Sequence, residues 1–167
     1  MSVFNFFSRL TYLSMSPIVH GLIIISFVFS MNTYSLKGQT PVFEYVKAMG
    51  GPSTDIGSSV SLDAKGNLYT AGSFEETVDF DAGPLSYLLK SNGARDIFIT
   101  KMDSKGEHIK KKNIGGDKSD DGRYMSTDLS GNIYITGTFQ GTVDFDPGPG
   151  LFPLTSQNKD DLFILKL

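Results

Sequence analysis

Two pairs of aspartates are the side chains best spaced for chemistry. Asp79 and Asp81 lie in Val78-Asp-Phe-Asp-Ala-Gly83, and Asp144 and Asp146 lie in Val143-Asp-Phe-Asp-Pro-Gly148. Alternate residues of a strand point to one side, so each pair shares a face just ahead of a tight turn. Two hard carboxylate donors beside turn carbonyls can begin a Ca²⁺ shell. The later ligands of a helix-loop-helix calcium loop, including its bidentate Glu, are missing. The same carboxylates can instead cap the turn by accepting backbone N–H groups. Capping is the preferred reading, and calcium stands beside it as the one candidate cofactor. Carboxylate pairs also serve glycosidases. An active site needs to exist only once, however, and a pair present in two places favours a structural role.

Other chemistry finds little material. Beyond residue 39 the only histidine is His108, on an expected outer strand, where a solvated imidazole is the plain reading. There is no Gly-x-Ser-x-Gly elbow and no phosphate loop with its lysine. The chain has no cysteine, which excludes disulfides, thiolate metal sites and Cys nucleophiles. A net charge of −3 and a pI near 5.3 give no basic footprint, so nucleic acid is not expected as a partner. The chain therefore reads as a non-enzyme. Tyr87 and Phe152 are candidates for stacking on a sugar ring.

The elements that must position these residues come from an internal repeat. Shifted by 65 residues, the sequence aligns with itself without a gap. Gly66-Asn-Leu-Tyr-Thr-Ala-Gly-Ser-Phe74 falls on Gly131-Asn-Ile-Tyr-Ile-Thr-Gly-Thr-Phe139, and Thr77-Val-Asp-Phe-Asp-Ala-Gly-Pro84 falls on Thr142-Val-Asp-Phe-Asp-Pro-Gly-Pro149. Asp96-Ile-Phe-Ile-Thr-Lys101 falls on Asp161-Leu-Phe-Ile-Leu-Lys166. The two copies span about 42–102 and 107–167, with roughly 25 of about 61 positions identical.

Each copy reads as short strands. In the first, Ser58–Leu62 and Asn67–Phe74 flank the turn Asp63-Ala-Lys-Gly66, followed by Asp96–Met102 and Glu107–Ile114 around Asp103-Ser-Lys-Gly106. Thr77–Ser91 inserts a small hairpin. Tyr69 and Ala71 oppose Leu68, Thr70 and Phe74 across one strand, and Ile97 and Ile99 oppose Phe98 and Met102 across another. Apolar residues on both faces require cover on both sides. Phe80, Phe98, Phe145 and Phe163 are assigned to the core between repeats. Gly72 and Gly137, mid-strand, predict close packing or a bulge. Asn67 and Asn132, after a turn glycine, are expected to bond the backbone. Lys110–Lys112 suits an outer edge. Tandem sheets that are apolar on both faces stack radially as blades of a β-propeller; a two-sheet sandwich is the rival.

The pattern Gly-Asn-(Leu/Ile)-Tyr-x-x-Gly-x-Phe, Thr-Val-Asp-Phe-Asp-x-Gly-Pro and Asp-(Ile/Leu)-Phe-Ile-x-Lys resembles the SBBP repeats, the seven-bladed β-propeller repeats of exported bacterial proteins. The resemblance covers nearly all of residues 42–167 and implies a propeller without implying an activity. The fold class is thus all-β, about two blades of a partial propeller, preceded by an N-terminal signal helix. Two blades are fewer than a closed ring needs. A fragment of a longer protein is the preferred explanation, and self-association through exposed blade faces is the other. Val42–Met49 is the sequence equivalent of Glu107–Ile114 and can complete a terminal blade from its own chain or a neighbour. An enzyme acting on polysaccharide, with catalytic residues elsewhere, is the alternative function.

Residues 1–38 read as a secretory signal peptide, leaving 39–167 as the repeat region. Arg9 precedes an apolar stretch from Ile18 to Met31, shorter than the roughly 20 residues of a membrane span, and a small-residue segment follows. Cleavage is placed after Gly38, with Ser35 and Ser30 as other candidates; an uncleaved anchor is the alternative. The expected location is secreted or at the cell surface, with no stable membrane span after cleavage and with an unidentified ligand or protein as partner.

Overall fold

The computed structural model describes residues 40–167 apart from Ala82. The expected signal helix and its cleavage positions lie outside the described residues. Within them every regular element is a strand. Repeat 1 supplies β1 (Asp55–Leu62), β2 (Leu68–Phe74), β3 (Thr77–Asp79), β4 (Leu88–Lys90) and β5 (Asp96–Met102), and β6 (His108–Ile114), from the start of repeat 2, joins them. Repeat 2 supplies β7 (Asp121–Thr127), β8 (Ile133–Phe139), β9 (Thr142–Asp144), β10 (Pro153–Thr155) and β11 (Asp161–Lys166).

The strands form antiparallel sheets, none of them closed. Sheet 1 has the order β1-β2-β5-β6 and sheet 2 the order β7-β8-β11; β3-β4 and β9-β10 are separate small hairpins. The lysine-bearing β6 occupies an outer edge, as its charge predicts.

Local chemistry sets the strand ends. Asp63 Oδ1 accepts the N–H groups of Lys65 and Asn67, both at 2.9 Å, and Gly66 takes a φ of +79°. Asp128 and Gly131 repeat this turn. Asn67 thereby belongs to the turn, and β2 starts one residue after it. Its side-chain amide donates to Asp63 Oδ2 at 2.7 Å, so the expected backbone bond is replaced by a carboxylate bond; Asn132 does the same with Asp128. Gly72 meets the bulge in β1 between Gly57 and Ser59, where a Cβ would stand 1.9 Å from the Ile56 carbonyl oxygen. Gly137 faces the equivalent bulge in β7. Only a glycine admits so close an approach.

The two sheets pack face to face. Tyr69, Ala71, Ile97, Ile99 and Ile114 of sheet 1 share one buried cluster with Met125, Ile135, Phe139 and Phe163 of sheet 2. β7 lies against β1 and β2. Ser59 Oγ accepts the Met125 N–H at 3.1 Å, and Thr127 Oγ1 donates to the Leu62 carbonyl at 2.6 Å. Phe145 and Phe163 do line this inter-sheet core. Phe80 and Phe98 do not. They form a second cluster with Phe74 and Val78 on the far face of sheet 1, with Met49 and Leu89 packed against it.

Candidate functional site

The four aspartates sit where β3 and β9 end. The strands stop at Asp79 and Asp144, too early for strand alternation to align Asp81 and Asp146 with them. The loop orients these residues instead. Asp79 Oδ1 accepts from Asp81 N at 3.0 Å and Tyr87 N at 2.8 Å. Asp144 Oδ1 accepts from Asp146 N at 3.1 Å and Phe152 N at 2.8 Å. Asp81 and Asp146 each take an N–H two residues on, from Gly83 and Gly148. The N–H groups of Asp81 and Tyr87 hold the Asp79 carboxyl below its ordinary range. One oxygen of every carboxylate is thus committed to its own loop, the geometry of a capped turn. Among the described residues no three acidic or histidine side chains gather to hold a metal ion.

His108 is partly buried rather than solvated. Its ring stacks on Tyr87 at 4.5 Å between centroids, and burial pushes its pKa down. One face of Tyr87 is therefore already occupied, whereas Phe152 is exposed.

A polar group recurs at the β1–β2 turn. Asp63 Oδ2 accepts from the Asn67 amide and pairs with Lys101 Nζ at 3.3 Å, beside the Tyr69 hydroxyl. The Asn67 amide is the chief cause that holds the Asp63 carboxyl well below its ordinary range. Asp128, Asn132 and Tyr134 repeat the arrangement in sheet 2. A crevice of about 280 Å³ separates this group from the next repeat's Leu129–Gly131 turn.

Three polar residues escaped the sequence reading. Asp96 and Asp120 are fully buried, and burial raises both carboxyls. Asp120 accepts from Gly116 N and Gln140 N, fixing the link into sheet 2. Arg95 bridges Glu75 at 3.1 Å and Asp121 at 3.2 Å, tying a repeat 1 loop to β7. Identity between copies marks Asp120 (with Asp55) and Asp96 (with Asp161), but says nothing of depth.

The largest unsatisfied features are the two outward faces. Ile97 and Ile99 are 1% and 5% exposed; their equivalents Leu162 and Ile164 are 71% and 79% exposed. Conversely, Met125 is 9% exposed while its equivalent Val60 is 65% exposed. Sheet 2 bears a hollow of about 310 Å³ on its open face, lined by Tyr124, Tyr134, Thr136 and Ile164, and one of about 490 Å³ along its β11 edge, lined from both faces by Phe145, Phe152, Leu162, Phe163 and Leu165. The arrangement is suited to burying another apolar surface. Comparison of the chain with protein-family models, with curated proteins and with solved structures finds no match.

Proposed function

We propose that this chain is an exported, non-enzymatic module of β-propeller blades, of the SBBP type it resembles, acting as a scaffold or ligand-binding surface. One observation carries the reading: the sheets pack front to back. Sheet 1 contributes the Ile97/Ile99 face, whereas sheet 2 contributes Phe163 and turns the equivalent Leu162/Ile164 face outward. A sandwich closed by two-fold pairing would bring equivalent faces together. Front-to-back packing leaves one face of each kind open and repeats indefinitely, as radial stacking of blades requires. The recurring polar groups support a scaffold role, because the aspartate loops and the Asp63 and Asp128 turns bond their own backbone in both copies.

The architecture is tested by joining residues 42–167 three times in tandem and measuring small-angle scattering. A compact disc is expected; an elongated rod refutes radial closure. Export is tested by fractionating bacteria that make the full chain with its own N-terminus. Product outside the cytoplasm is expected, and cytoplasmic retention of the intact chain refutes it.

A further inference from the structure

The open faces and a free strand edge together specify an occupant. We propose that a second copy of this chain seats head-to-tail on sheet 2, and that its segment Val42–Met49 becomes the fourth strand of that sheet. This rests on the blade reading above and adds to it the identity of the partner.

Two independent observations lead there. The first is the pair of faces. Within one chain, the face bearing Met125 covers Tyr69, Ala71 and Ile99. The equivalent upper face of a second copy carries Val60, and the equivalent lower face here carries Tyr134, Thr136 and Ile164. The hollow of about 310 Å³ lined by those three residues therefore lies where Met125 sits in the inner stack. Val60, exposed on β1, is the side chain that would enter it.

The second observation is the segment itself. In sheet 1 the fourth strand is β6, which leads through Gly115 and Gly116 into sheet 2. Val42–Met49 leads through Gly50 and Gly51 into sheet 1 in the same way. The seating of the two links matches. Gly116 N donates to Asp120 Oδ2 and Gly51 N to Asp55 Oδ2, each at 2.8 Å. A Cβ on Gly116 would stand 2.3 Å from the Thr142 carbonyl oxygen, and one on Gly51 2.4 Å from that of Thr77. Met49 packs on the Phe74/Phe98 cluster, as Ile114 packs in the cluster holding Phe139 and Phe163. The segment is thus delivered to the position of an outer strand in a sheet lying before sheet 1. It forms no strand in the chain, and Val42, Phe43 and Val46 are exposed.

β11 offers the matching edge, since sheet 2 ends there with no neighbour beyond it among the described residues. Transferring the β5–β6 register predicts antiparallel pairs Leu162 with Met49, Ile164 with Lys47, and Leu167 with Phe43. Strand addition satisfies the free edge while face packing buries the open face. The Arg95 bridge is not reproduced across this junction, because Asp160 and Ile56 replace Arg95 and Asp121. The contact is therefore chiefly apolar and backbone-mediated, without a counterpart of the Arg95 bridge. A heterologous contact of this kind closes as a ring when its rotation permits.

The test uses the full chain, produced with its own N-terminal segment and purified as the cell leaves it, with two double variants. Val46→Asp/Val60→Asp blocks the upper face and strand donor; Leu162→Asp/Ile164→Asp blocks the lower face. All four side chains are exposed, so both variants should keep the circular dichroism of the parent. The parent should assemble, each variant alone should be monomeric, and an equimolar mixture should give one-to-one dimers by light scattering. Amide exchange in 42–49 should be slow in the parent assembly and fast in either variant alone. A monomeric parent, loss of assembly in only one variant, a mixture that stays monomeric, or fast exchange of 42–49 within an assembled parent each overturns the proposal. A monomeric parent alongside a disc-shaped tandem chain refutes the second-copy partner and leaves the blade reading standing.

Discussion

Truncating Ile99 and Ile164 to alanine separates packing position from residue type, because the two occupy equivalent places in the repeat. Ile99 is 5% exposed between the sheets, and Ile164 is 79% exposed on the open face. Burying an isoleucine is worth about 1.5–3 kcal/mol, and the cavity raises the cost of Ile→Ala to about 2–5 kcal/mol. Ile99→Ala should therefore cost about 3 kcal/mol. Only about a fifth of the Ile164 side chain is withdrawn from water, so Ile164→Ala should cost about 0.5 kcal/mol in the monomer. The assay is urea unfolding at high dilution. With a slope of about 1–3 kcal/mol per molar, Ile99→Ala should move the midpoint by roughly 1–3 M at constant slope, and Ile164→Ala by less than about 0.5 M. Equal shifts for both would refute the packing argument. If the proposed second copy covers that face, raising the concentration should bring out a penalty for Ile164→Ala alone.

Gly72→Ala should destabilise by about 3 kcal/mol, at the upper end of overpacking, because its Cβ would meet the Ile56 carbonyl; Gly57→Ala, where a Cβ meets nothing, should cost far less in the same thermal melt. Arg95→Lys should not fully rescue Arg95→Ala, since Arg95 reaches Glu75 and Asp121 from its two separate terminal nitrogens and lysine has no such fork; a double-mutant cycle with Asp121→Ala measures the coupling, and a zero coupling refutes the bridge. Asp63, Asp79, Asp103 and Asp128 have lowered pKa values, so their stabilisation is present above about pH 4 and is lost as pH falls through the folded values. Asp96 and Asp120 are raised, so theirs is present below about pH 4 and is lost as pH rises through the folded values. Urea midpoints should peak in the acidic range, and Asp96→Asn should flatten the decline above the peak; a parent midpoint still rising toward neutrality would contradict this. If Asp79 and Asp144 serve only their loops, chelation leaves the melting temperature unchanged; a calcium-dependent shift abolished by Asp79→Ala/Asp144→Ala would restore the metal reading.

The repeat, the all-β character, the turns and the paired glycines could all be read from the residues alone. These depend on local chemistry: an aspartate can bond the backbone two residues on, and a glycine can take a positive φ or admit a carbonyl, whatever lies far along the chain. The alternation of Ile97 and Ile99 against Phe98 was likewise legible, because side chains on a strand have a period of two. Which face meets which neighbour was not. Both faces are apolar, so hydropathy cannot rank them, and Leu162 and Ile164 read the same as Ile97 and Ile99 although one pair is wet and the other dry. Only the tertiary packing placed Phe80 and Phe98 on the far side of sheet 1, seated Tyr87 on His108, and buried Asp96 and Asp120. Burial and stacking are relations between distant segments, and an isolated residue type does not encode its neighbours.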